Sequence, residues 1–246
     1  GVDEVEVYNL YYSGRSLSTH LKKWQDGVGD YQLFRTDKNG RQNLVPYSKW
    51  SLEMALAQTN WDYISIQGRV SVTGDDTDYD QVEEKDLEAY AKNIGVYAEP
   101  LLAHFHKMFP HTQLLWHRTW VTENTVRSAI NKGTENDKKY DKNMQAVCEY
   151  MCNEFDTDKD YDLKMVNSGA AWTEARSLNA AKAESLFPVG GLCARLGWND
   201  YDGEVMHSGD GRHEGDIGGG QLLNAYMWYM TITGDADLSE VIDYKP

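Results

Sequence analysis

Within 246 residues, 39 Asp and Glu outnumber 24 Lys and Arg, leaving a formal charge of −15 at pH 7. Such a surface repels polyanions and excludes nucleic acid and anionic lipid as partners. A hydrophobic fraction of 41% supports one domain with a sizeable core, no apolar run approaches the ~20 residues of a membrane span, and no basic-then-apolar signal segment opens the sequence.

Val5 to Tyr12 (VEVYNLYY) alternates in polarity, is rich in Val and Tyr and stops at Ser13-Gly14, which predicts a strand feeding a turn. Asn39-Gly40 stands between two extended runs in 31–45, a hairpin signature. Ser48 or Ser51 is placed to cap a short helix through Gln58, and Asp62 to Gln67 (DYISIQ) reads as a compact strand running into an acidic loop that ends at Lys85. From Asp86 to Phe109 the residues Leu87, Tyr90, Ala91, Ile94, Leu101, Leu102 and Phe105 recur near helical spacing, with Pro100 a candidate kink. Gln113 to His117 is the next strand, Lys138 to Phe155 a helix and Leu163 to Asn167 a strand. Ala175 to Leu186 is an alanine-rich helix, and Gln221 to Thr231 a last apolar helix launched by glycines 218 to 220.

This alternation predicts the α/β class: a mostly parallel, doubly wound sheet with helices on both faces, in which 5–12, 62–67, 113–117 and 163–167 are neighbouring parallel strands. Such sheets bind ligands beyond the carboxyl ends of their strands. Those ends fall at Ser13 to Ser16, Gln67 to Ser71, His117 to Trp120 and Ser168 to Trp172, joined by the loop before the last helix.

That loop, Ser208 to Gly220 (SGDGRHEGDIGGG), holds the most informative pair. Asp210 and His213 form Asp-x-x-His on a glycine-rich segment ahead of a helix, where a carboxylate can fix an imidazole's tautomer and leave its other nitrogen to activate a serine. A polar surface loop that carries Asp and His by chance is the plain alternative.

With this block, NLYYSGRSLSTH (9–20), WDYISIQGRVS (61–71), LLWHRTW (114–120) and VNSGAAWTEARS (166–177) occur in an order that resembles the SGNH (GDSL-like) hydrolases, in particular a bacterial branch classed as a domain of unknown function. The resemblance spans nearly the whole chain. It implies a single three-layer α/β/α sandwich, flavodoxin-like in kind, over residues 1–246, and an ester hydrolase in which Asp210 orients His213 and His213 is the base. Gly14 is similar to the glycine whose backbone N–H donates to the oxyanion, and Gln67 stands where other members carry an asparagine donor; a strand-end residue bonded to a loop is the alternative for Gln67. His20 and Arg176 fall at matching positions, and with Trp120 and Trp172 they are candidates to line the substrate cleft. The implied substrate is an acylated carbohydrate or another small ester, with no organic cofactor and no metal, in a periplasmic or secreted setting.

One departure is large. Members open with a strand ending in a Gly-Asn-Ser-Phe-like block whose serine attacks the ester, and no such block occurs here. The resemblance therefore implies a nucleophile upstream of Gly1 and a domain shortened at its N-terminus. Ser168 and Ser13, each at an expected strand end, are candidate substitutes, with a helix cap and a turn residue as their alternatives. A catalytically silent carbohydrate-binding or scaffold domain of the same fold is the reading from another class.

Other patterns carry less. Asp156 to Asp162 starts like a calcium loop, but Tyr161 holds the glycine position and Asn167 the closing Glu position. His104, His106, His111 and His117 are too dispersed for a metal cluster, since residues two apart on a helix diverge. Cys148, Cys152 and Cys193 are too few for a disulfide scaffold and read as structural thiols. Eight Trp and sixteen Tyr suit a sugar cleft, yet core packing explains most aromatics.

Overall fold

Two kinds of strand pattern build two different sheets. The computed structural model describes residues 5–12, 15–37, 42–67, 84–120, 136–159, 161–180 and 219–237. Its architecture is α/β.

The first sheet is an antiparallel meander in the order β1 (Tyr8–Tyr11), β2 (Gln32–Thr36), β3 (Gln42–Leu44), with Tyr8 opposite Arg35 and Phe34 opposite Leu44. The hairpin expected around Asn39-Gly40 is the β2–β3 pair, and its turn lies outside the described residues. The expectation that 5–12 is a parallel neighbour of 62–67 is not met. The physical reason is legible in β1 itself: Tyr8, Leu10 and Tyr12 pack on Tyr31, Leu33, Trp50 and Ala55, while Val7 and Tyr11 are exposed. A strand with one dry face suits an antiparallel sheet, whereas a central parallel strand is apolar on both.

Between β1 and β2 runs α1 (Leu17–Gln25), which the sequence pattern does not announce, because Ser, Thr and His dominate its first turn. Ser16 accepts from the Thr19 N–H as its N-cap, Lys22 and Lys23 sit in the last turn, and Leu17, Leu21 and Trp24 pack on the main core. Of the two candidate caps for the next helix, Ser51 is the one that starts α2 (Leu52–Leu56), accepting from the Met54 N–H.

The second sheet is parallel, in the order β4 (Tyr63–Gln67), β5 (Gln113–Arg118), β6 (Lys164–Asn167). These three strands stand where the sequence puts them, linked by α3 (Leu87–Met108) and α4 (Asn136–Lys159); α3 continues through Pro100. After β6 come α5 (Ser168–Ala180) and α6 (Gly219–Thr233). The helix expected from Ala175 thus begins at Ser168, because Asn167 caps it by accepting from the Ala170 N–H at 3.3 Å.

Side chains of β5 alternate between two environments. Leu114 and Trp116 enter the main core with Ile94, Leu101, Leu102 and Phe105 of α3 and Met144, Val147 and Met151 of α4. On the opposite side His117 meets Trp228 of α6, with ring centroids 5.1 Å apart, and the Tyr63 hydroxyl donates to the Ile232 carbonyl. Leu114, Leu115 and Trp116 are all fully buried, as a middle strand of a parallel sheet requires. Leu102 also has no exposed surface. Replacing it with Ala should lower the unfolding free energy by about 2–5 kcal/mol in urea titrations, with an unchanged m-value.

Candidate functional site

The parallel register sets Gln67 directly opposite His117 and His117 directly opposite Val166, two residues before Ser168. Because paired residues in register project to the same side, three polar side chains meet at the carboxyl edge of the sheet. His117 Nδ1 lies 2.9 Å from Gln67 Oε1, and His117 Nε2 lies 2.9 Å from Ser168 Oγ. An amide oxygen facing Nδ1 is matched by the tautomer that carries its proton on Nδ1, and that tautomer leaves Nε2 to accept from the Ser168 hydroxyl. Ser168 is fully buried, His117 is mostly enclosed beneath Trp228, and Gln67 is exposed.

The array has the order serine, imidazole, orienting group, but the orienting group is an uncharged amide. Among the described residues no carboxylate bonds the imidazole, and burial pushes the His117 pKa down to about 4. The ring is therefore neutral at physiological pH. The Ser168 hydroxyl is buried, and among the described residues no carboxylate is placed to stabilise the imidazolium that proton abstraction would create.

The platform beneath is held by buried charge. Arg118, fully enclosed, donates to Asn167 Oδ1 at 2.5 Å and to the Asp141 carbonyl at 2.8 Å, and it pairs with the Asp141 carboxylate. One guanidinium thereby ties β5, α4 and the cap of α5 together. Gly169 completes the junction: a Cβ there would lie 2.4 Å from the Thr119 carbonyl oxygen and 2.8 Å from Arg118 Cζ. Only glycine lets α5 start so close to the end of β5.

The structure describes only some of the other expected site residues. Asp210, His213, Gly14 and Ser13 lie outside the described residues, and Arg176 is on α5 with its side chain likewise outside them. Trp120 and Trp172 are packed into the interior. They stack on each other with centroids 4.2 Å apart and planes 9° apart, both are buried, and Trp172 Nε1 donates to Asn224 Oδ1 at 3.1 Å. Aromatic area of that size gains more from a dry core than from a wet groove. His20 bonds the Tyr31 hydroxyl through Nδ1 at 2.8 Å and stacks on that ring, so its partner stands just before β2 of the antiparallel sheet.

His104 packs on Trp24 and His106 on Tyr161, so the helical pair diverges as its spacing requires. Among the described residues no group of three or more His, Cys, Asp or Glu is arranged to hold a metal ion, and no helix is long and apolar enough to cross a membrane. Cys148 and Cys152 are buried free thiols, and burial pushes Cys148 up to about 11.

His117 is the residue whose role here the sequence did not disclose. A signal existed: Gln67 and His117 were each the last residue of an expected strand, so pairing those strands would have put them side by side.

No protein-family model and no curated protein matches the chain. Among solved structures it is similar to a DUF4886 family protein from Bacteroides uniformis ATCC 8492, at 20% identity and a TM-score of 0.65, over 98% of this chain and 75% of that one. Likeness at this identity is a likeness of fold.

Two outcomes follow from the geometry. Gly169→Ala should destabilise the protein by about 1–3 kcal/mol or more, read as a lowered urea midpoint, since backbone and a buried guanidinium would have to move. The buried imidazole also sets a pH dependence. Its folded pKa is depressed, so between about 4 and 6.5 the unfolded chain binds the proton and the folded chain does not; stability falls as pH drops through this window, by up to roughly 3 kcal/mol from this group. Urea titrations at pH 7 and pH 4 should show a smaller loss in His117→Gln than in the unsubstituted protein.

Proposed function

We propose that the carboxyl edge of β4–β5–β6 is the acyl-transfer site of an SGNH-type ester hydrolase, with Gln67 as a side-chain donor to the oxyanion. The observation that supports this reading is the held, exposed amide of Gln67. His117 occupies its oxygen, which leaves the NH2 group as a donor at the end of a parallel strand, where α/β sheets bind their ligands. A donor aimed before the reaction begins stabilises developing negative charge without reorganising.

The remaining roles come from the sequence resemblance. A serine on the strand that family members carry ahead of the segment matching Gly1 attacks the ester carbonyl carbon. His213, oriented by Asp210, takes the serine proton and passes it to the leaving alkoxide, and the Gly14 N–H shares the oxyanion with Gln67. Water, deprotonated by His213, then releases the acid and restores the serine. The reaction uses no organic cofactor, and the substrate is a small ester or an acylated carbohydrate. This reading carries with it a bacterial origin, a periplasmic or secreted setting and a three-layer α/β/α arrangement around the parallel sheet.

The test is turnover of nitrophenyl acetate and acetylated sugars by a chain that includes the proposed serine strand, and by its variants. His213→Ala should lose at least about 10³-fold in kcat, and Gln67→Ala about 10²–10³-fold with little change in KM. If His213→Ala keeps full turnover while Ser168→Ala loses both turnover and labelling by a fluorophosphonate, Ser168 and His117 are the nucleophile and base, and the roles above are wrong. No turnover on any ester tried would favour the silent binding domain.

A further inference from the structure

We infer that Ser168 and His117 are positioning residues that decide which end of the Gln67 amide faces the carboxyl edge of the sheet, Ser168 doing so by fixing the tautomer of His117. The catalytic consequence rests on the reading of Gln67 as an oxyanion donor; the proton arrangement does not.

A glutamine amide has nearly the same shape either way up, but its two ends have opposite electrical character. With oxygen outward, Gln67 would repel an oxyanion; with NH2 outward, it would bind one. Side-chain shape cannot make this choice, so a directional partner must. The partner is Nδ1 of His117, 2.9 Å from Oε1, and it holds the oxygen inward only if it carries the proton.

A neutral imidazole has one N–H, so a proton on Nδ1 requires a bare Nε2. Ser168 supplies the donor that bare nitrogen needs, with Oγ 2.9 Å away. Its hydroxyl has no other hydrogen-bond partner among the described residues and no exposure to water, so its proton goes to Nε2. The reverse tautomer would leave Nδ1 bare against Oε1, two acceptors facing each other, and the amide would turn over. Trp228 against one side of the ring and the Arg118–Asn167 cap under Ser168 keep both groups in place. A serine hydroxyl fixed at a helix start thus reaches, through one ring, an exposed amide two strands away.

The experiment is two-bond ¹H–¹⁵N correlation on protein labelled in histidine, near pH 7, joined to ester kinetics. His117 is expected as the Nδ1–H tautomer, Ser168→Ala should give a tautomer mixture, and Ser168→Thr, which keeps the hydroxyl, should restore the single form. In kinetics Ser168→Ala should lower kcat about 10-fold or more with KM within about two-fold, because an oxyanion contact is made only in the transition state. It should add nothing in a Gln67→Ala background.

An Nε2–H tautomer in the unsubstituted protein, or an unchanged tautomer in Ser168→Ala, overturns the proposal. An equal kcat loss from Ser168→Ala with and without Gln67 overturns its catalytic half and makes the role structural. If a chain that includes the proposed serine strand hydrolyses no ester, the hydrolase reading fails, and the tautomer measurements still decide the proton arrangement.

Discussion

The pairing of β4 with β5 in parallel register, Gln67 against His117, is the constraint on which the rest of the site depends. A slip of one residue would send His117 into the main core and bring Trp116 to the other side, since successive strand residues face opposite ways. The core prevents that slip. Leu114 and Trp116 are fully buried among α3 and α4 residues, so the apolar pattern that stabilises the fold also fixes the place where the polar array forms. Folding and site geometry are one event here.

The array differs from a hydrolytic triad in its electrostatics more than in its distances. In a triad the orienting carboxylate lowers the free energy of the imidazolium, and so strengthens the base. Here the partner is an amide, the surroundings are poorly solvated, and the ring stays neutral well below physiological pH. Such a group is poor at taking a proton and good at holding a hydrogen-bond direction. Its chemistry therefore suits holding a neighbouring group in one orientation more than taking a proton.

Buried polarity is concentrated under this edge. Arg118 on β5, Asp141 on α4 and Asn167 and Ser168 at the β6–α5 junction are brought together, and the Arg118–Asp141 pair lies away from solvent. Such a pair contributes little net stability against an apolar replacement, but loss of one partner leaves an uncompensated buried charge, which costs about 3–5 kcal/mol. What the pair gains is direction: it sets the entry of α5, and with it the Ser168 hydroxyl, against the end of β5. Gly169 serves the same end by leaving out the one atom that would keep helix and strand apart.

The sequence by itself determined the parts governed by local periodicity. The strands 62–67, 113–117 and 163–167, the long helices between them and the 31–45 hairpin are where apolar spacing puts them, and the cap of α2 is one of the two serines the sequence offered, because these signals act over a few residues. It also marked Gln67, His117 and Ser168 as residues of interest through their strand ends. Strand partnership for 5–12 was beyond it: the alternation in that segment spoke for one dry face, but which strand would cover its edge depends on contacts distant in sequence. The fate of Trp120 and Trp172 was likewise open, since an aromatic that packs and one that binds look the same until a partner ring is found 4.2 Å away. The partners of His117 were set only in three dimensions. Its two hydrogen bonds reach residues about fifty positions away on either side, and only the parallel sheet brings those positions within 2.9 Å.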